Sequence, residues 1–128
     1  RRFIEAARNR TDVVTCWGTG SPRREFLHVD DLARAAVFCL EHWDYDPHKN
    51  EPEFLNVGTG TDISIKELAE FIAKATGFGG TIQWDTNKPD GTPRKLLDVS
   101  RLSSMGWQAS ISLEEGIQQV INELPDNF

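Results

Sequence analysis

The 128 residues include only two cysteines, Cys16 and Cys39, and no run near the about 18 apolar residues that a membrane span needs. Two cysteines do not make a disulfide framework, so we expect reduced, partly buried thiols in a cytoplasmic protein with no membrane segment. The three histidines, His28, His42 and His48, are never four residues apart, and there is no Cys-x-x-Cys. A zinc site needs convergent ligands of those types, so no metal is expected. Positive charge is also scarce: 14 Lys and Arg stand against 20 Asp and Glu, a net charge of −6 that disfavours nucleic acid as a partner. No Gly-x-Ser-x-Gly elbow occurs. The only tyrosine, Tyr45, has Lys49 four residues on, the spacing of a Ser/Tyr/Lys reductase centre. That pair sits in a polar, Pro-containing loop, a poor place for a preorganised site. We therefore expect no catalytic residues in this chain.

What is present alternates between two periodicities. Phe3, Ile4, Ala6 and Ala7 have helical spacing with no capping residue ahead of them, and the chain opens without Met. We read residues 1–10 as the end of a helix and residues 1–128 as one domain cut from a longer protein. Residues 12–18 are rich in β-branched side chains and predict a strand closed by Gly18-Thr19-Gly20. Residues 21–24 read as a turn and 25–29 as extended. Asp30 or Asp31 is the expected cap of a helix whose apolar positions are Leu32, Ala35, Ala36, Cys39, Leu40 and Trp43. His28 is expected to pack beneath the strand end. Further strands are predicted over 53–60, 81–85 and 96–99. Ser64-x-x-Glu67 and Ser112-x-x-Glu115 are capping boxes that open two more helices, and Ser100 is the expected cap of a short one. Strands alternating with helices define an α/β class.

Two glycine turns invite a dinucleotide reading. Val57-Gly58-Thr59-Gly60 follows an expected strand and precedes a helix, but Ile63 stands where the third glycine belongs. We read it as a structural turn, and Gly18-Thr19-Gly20 likewise. What remains is a possible anion-binding surface made of Arg1-Arg2, residues 17–24 and residues 89–95. Arginine offers a fork to phosphate oxygens and lysine a point charge. Trp17 offers a stacking platform or a core side chain. Asp90 can accept from hydroxyls or a base edge, and Pro89 and Pro93 stiffen the loop. The bland alternative is a solvated basic loop.

Three stretches, CWGTGSPRREFLHVDDLARAAVFCLE, FLNVGTGTDISIKELAEFIAKATGF and NKPDGTPRKLLDVSRLSSMGW, closely resemble the C-terminal half of the GDP-L-fucose synthase family, extended short-chain dehydrogenase/reductases. The similarity runs from Arg1 to about Leu124. It implies a two-part enzyme that epimerises and then reduces a GDP-4-keto-6-deoxy sugar with NADPH. It places the NADP(H) site and the catalytic residues in an N-terminal Rossmann domain upstream of Arg1. It implies GDP-sugar contacts at Arg2, Trp17, Arg24, Asp90 and Lys95, a homodimer for the complete protein, and no activity for this segment alone. Another nucleotide-sugar epimerase or dehydratase, and a non-catalytic nucleotide-sugar module, stay open as alternatives.

Overall fold

Two β-prone segments form the spine. The computed structural model describes residues 1–46, 48 and 52–125. In it β1 (Val13–Trp17) lies parallel to β4 (Thr81–Asp85), in register from Val13↔Thr81 to Trp17↔Asp85. A parallel pair needs a long crossover, and here it carries two helices, α2 (Val29–His42) and α3 (Ile65–Ala75). α1 (Arg2–Arg8) and α3 cover the pair, burying Phe3, Ala6, Val14, Ala69, Ala73 and Phe78 in one cluster. The Phe3 and Phe78 rings meet edge to face at 5.6 Å.

A second cluster forms where α2 meets α4 (Ser100–Ser104) and the following turn, with Ala35 and Leu102 fully buried beside Trp107. A small three-stranded sheet of two-residue strands is ordered β3 (Ile63–Ser64), β2 (Arg23–Arg24), β5 (Arg94–Lys95). α5 (Leu113–Glu123) closes the described chain. Both predicted capping boxes are formed. Ser64 Oγ accepts from Glu67 N at 3.1 Å, Ser112 Oγ accepts from Glu115 N at 3.2 Å, and each glutamate accepts from its cap's backbone N–H.

Several expectations need correcting. Residues 53–60 join no ladder; Leu55 and Val57 pack on the second cluster, and Asn56 Nδ2 donates to Asp98 O at 3.0 Å. The strand expected over 96–99 forms two residues earlier, as β5. Residues 23–24, read as part of a turn, are β2. Ser100 is the first residue of α4 and not its cap; its N–H donates to Asp98 Oδ1 at 3.0 Å. Neither Asp30 nor Asp31 caps α2. His28 does, its Nδ1 accepting from Asp30 N at 3.3 Å, with the ring against Gly116. Of the expected core positions of α2, Leu32, Ala36 and Leu40 are exposed. Lys49 of the Tyr45–Lys49 pair lies outside the described residues, and Tyr45 Oη donates to Glu53 at 2.7 Å.

Among the described residues Asp31 is the fully buried acid. Its oxygens accept from Ser110 N at 3.1 Å and Ile111 N at 2.9 Å, and Arg34 donates to it as well. Burial pushes its pKa up, but the amides of Ile111 and Ser110 and the Arg34 guanidinium outweigh that and hold it below the usual carboxylate range. A lowered native pKa stabilises the fold above the unfolded value near 4, and that contribution fades as pH falls through the native pKa. Asp31→Asn puts an amide N–H₂ against two buried donors, an expected loss of about 1–3 kcal/mol at neutral pH. Chemical denaturation across pH should show the variant losing less stability than the parent below about pH 4. Parallel pH profiles would rule this role out.

Candidate nucleotide-binding surface

The loop between β4 and β5 runs beside residues 17–24 and is fastened to them along its length. At one end Trp17 pairs with Asp85, and Gly18 N donates to Asp85 O at 3.0 Å. A tight turn follows: Lys88 N donates to Asp85 O at 3.1 Å, and Asn87 N to Asp85 Oδ1 at 3.1 Å. In the middle, Asp90 accepts from Thr19 N at 2.8 Å and from Thr19 Oγ1 at 2.6 Å. The approach is close enough that a Cβ on Gly18, whose φ is +77°, would sit 2.2 Å from Asp90 Oδ1. Only glycine meets both demands. At the far end Arg23 N donates to Pro93 O at 2.8 Å, and β2 and β5 pair in parallel.

That pairing sorts the four cations of the two strands. Side chains alternate along a strand, so Arg23 and its partner Arg94 share one face while Arg24 and Lys95 share the other. Arg23 and Arg94 converge on Asp62, whose side chain is only 5% exposed. Arg23 Nε donates to Asp62 Oδ1 at 2.8 Å and Nη2 to its carbonyl at 2.9 Å, while Arg94 Nε donates to Oδ2. The hydrogen bonds from Arg23 and Arg94 hold the Asp62 carboxyl below its usual range. Arg24 and Lys95 make no ion pair with a carboxylate among the described residues. Arg24 Nη1 donates to the carbonyl of Arg23 at 2.6 Å, and its Nη2 lies near Gly91, where a Cβ would be 3.2 Å away.

By backbone position the expected contact residues follow one another along these two stretches, a strip in that sense: Trp17 beside Asp85, Asp90 against Thr19, and Arg24 paired with Lys95. Trp17 is 66% exposed and is no core residue. Arg2 joins from α1, donating to Thr15 O at 3.3 Å, two residues short of Trp17. Asp90 departs from its expected part. Hydrogen bonds from the Thr19 hydroxyl and amide lower its pKa and make it first the anchor of the loop. The strip is open. A neighbouring cavity of about 420 Å³ is lined by Arg24, Phe26, Thr61 and Ser110, among others, and takes in none of Trp17, Asp90 and Lys95.

Sequence reasoning missed Lys88, whose Nζ stands 5.6 Å over the Trp17 ring, and Glu25. Glu25 Oε1 accepts from Gly60 N at 2.6 Å and Oε2 from Leu97 N at 3.1 Å, tying the second glycine turn and the exit of β5 to β2. That contact tests the dinucleotide idea. Gly60 N is already taken by a carboxylate, and a Cβ on Gly58 would lie 2.5 Å from Glu25 Oε1. The turn does not fit a pyrophosphate.

Residues 1–58 match the NAD dependent epimerase/dehydratase family. The chain is 53% identical over 119 residues to putative GDP-L-fucose synthase 2 of Arabidopsis thaliana, covering 93% of this chain and 34% of that protein. It is 53% identical over 121 residues to GDP-L-fucose synthase of Escherichia coli strain K12, covering 91% and 37%. Among solved structures, a GDP-mannoheptose C4 reductase from Campylobacter jejuni with NADP bound superposes with a TM-score of 0.83 at 34% identity, over 95% of this chain and 41% of that one. A GDP-L-fucose synthetase from Naegleria fowleri bound to NADP gives 0.76 at 26% identity, over 94% and 36%. The chain spans little more than a third of the curated relatives it matches. In sequence and in fold it is homologous to the C-terminal part of the GDP-L-fucose synthases, among the Rossmann-type epimerases and reductases.

Proposed function

We propose that this chain is the GDP-sugar grip of a longer, NADPH-dependent epimerase/reductase that converts GDP-4-keto-6-deoxy-D-mannose to GDP-L-fucose. The observation that carries this reading is the sorting of cations by β2 and β5. Arg24 and Lys95 are left without an acidic partner among the described residues, on the strip that begins at Trp17. Trp17 stacks the base, Arg24 and Lys95 take the diphosphate, and Arg2 supports the strip from α1. Asp90 holds the loop against Thr19 and keeps free lone pairs for a sugar hydroxyl or base edge.

NADP(H) and the residues that move protons and hydride belong to the N-terminal Rossmann domain of the complete protein, since the glycine turn here is filled by Glu25. When bound there, the cofactor supplies the hydride for C4. The GDP end makes and breaks no bonds. Its binding holds the sugar in place while two ring centres invert, so energy from a remote contact serves the reacting one. The open strip and the exposed apolar face of α2, with Val29 at 68%, Val37 at 54% and Leu40 at 88% exposure, support the presence of that second domain. We place the complete protein in the cytoplasm as a homodimer, and this chain alone is inactive.

In the complete enzyme Arg24→Ala should raise KM for the GDP-sugar about tenfold or more, the loss of a charge-assisted hydrogen bond of ~1.5–3 kcal/mol. KM for NADPH should not move. Steady-state kinetics with each substrate varied decides it, and an unchanged GDP-sugar KM would count against the site. GDP should compete with substrate far better than UDP. Equal competition would favour a different nucleotide-sugar enzyme.

A further inference from the structure

One face of the Trp17 ring has a cation over it. Lys88 Nζ stands 5.6 Å from the ring centroid, within the about 6 Å range of a cation–π contact. The backbone on both sides of Lys88 is fixed, by the Asp85 turn before it and by Asp90 on Thr19 after it. Pro89 stiffens the link between them. The main chain therefore stays put while the four-carbon side chain can swing.

We propose that Lys88 is a specificity-determining residue that occupies the stacking face of Trp17 until a nucleotide displaces it, and that it then pairs with the ligand's phosphates. The proposal rests on the stacking role assigned to Trp17 above. A neutral purine must evict the ammonium and gives it nothing in return. A purine nucleoside diphosphate evicts it from the ring but offers it an anion within reach of the same arm. One lysine thus opposes nucleosides and favours phosphorylated nucleotides. Arg24 and Lys95 cannot make this distinction through the ring, because they lie at the other end of the strip.

Calorimetric titration of the intact protein with guanosine and with GDP separates the outcomes. In Lys88→Met, which keeps the length of the side chain and drops its charge, guanosine should bind about two- to fivefold more tightly, the fold-change that matches a ~0.5–1 kcal/mol cation–π contact. GDP should bind no more tightly than to the parent, and its affinity should fall less steeply with added salt. The preference for GDP over guanosine then drops by at least the same two- to fivefold. Guanosine affinity that is unchanged or weaker in Lys88→Met, or an unchanged preference, overturns the proposal. Trp17→Ala is the control for the underlying reading. If it leaves guanosine binding intact, stacking on Trp17 is wrong and the role of Lys88 falls with it. If it weakens guanosine about fivefold or more while Lys88→Met does nothing, the stacking site stands and only the role of Lys88 fails.

Discussion

One carboxylate organises the surface. Asp62, nearly buried, draws Arg23 and Arg94 to the same point and so fixes the register between β2 and β5. A slip of one residue in β5 would turn Lys95 toward Asp62 and Arg94 away from it, so the pairing of Arg24 with Lys95 on one face would be lost. Two-residue strands have too little ladder to fix a register by themselves. The ion pairs and the Pro93 carbonyl supply what the short ladder cannot.

Two further carboxylates fasten the same loop from other directions. Asp90 binds Thr19 in its middle, and Glu25 binds Leu97 N just beyond β5. All three acids accept from donors within the chain, so the loop is held closed by the protein itself. Its ordering entropy is then spent in folding and not at each binding event. The stiff prolines of the loop work in the same direction. Each acid also sits where its neighbour in sequence or register does different work: Glu25 beside Arg24, Asp90 between Lys88 and Arg94, Asp62 behind the sheet.

Local features were legible in the sequence; contacts distant along the chain were not. Both capping boxes depend on residues three apart, and both formed as read. β1 and β4 carry enough β-branched and aromatic side chains to declare themselves. The cap of α2 was misread because aspartate is the commoner cap, whereas Asp31 is claimed by the amides of Ser110 and Ile111 about 80 residues away. That left His28 to meet the Asp30 amide. The strand expected over 96–99 moved to 94–95 for a similar reason. Apolar character marked Leu96 and Leu97, but the partner strand and Asp62 select the charged pair just before them. For α2, periodicity found an apolar helix and could not say which of its two apolar faces meets this chain's own core. The five expected contact residues came from family likeness; Trp17, Asp90, Arg24 and Lys95 stand on two neighbouring stretches of backbone. Lys88 stood out only as one cation of a basic loop and was given no contact, since a lysine beside a turn is ordinarily solvated.

The proposed anion site sits on a chain with a net charge of −6. Beyond about 8–10 Å a distant charge is screened at physiological salt, so the overall excess of acids contributes little at contact. The three acids that fasten the loop are each already engaged by internal donors: two guanidinium groups on Asp62, an amide and a hydroxyl on Asp90, and two amides on Glu25. On the proposed reading an approaching phosphate meets Arg24 and Lys95, which make no ion pair among the described residues. The same acids that make the chain negative hold these strands in register, and the proposed affinity for an anion would depend on local geometry instead of on total charge.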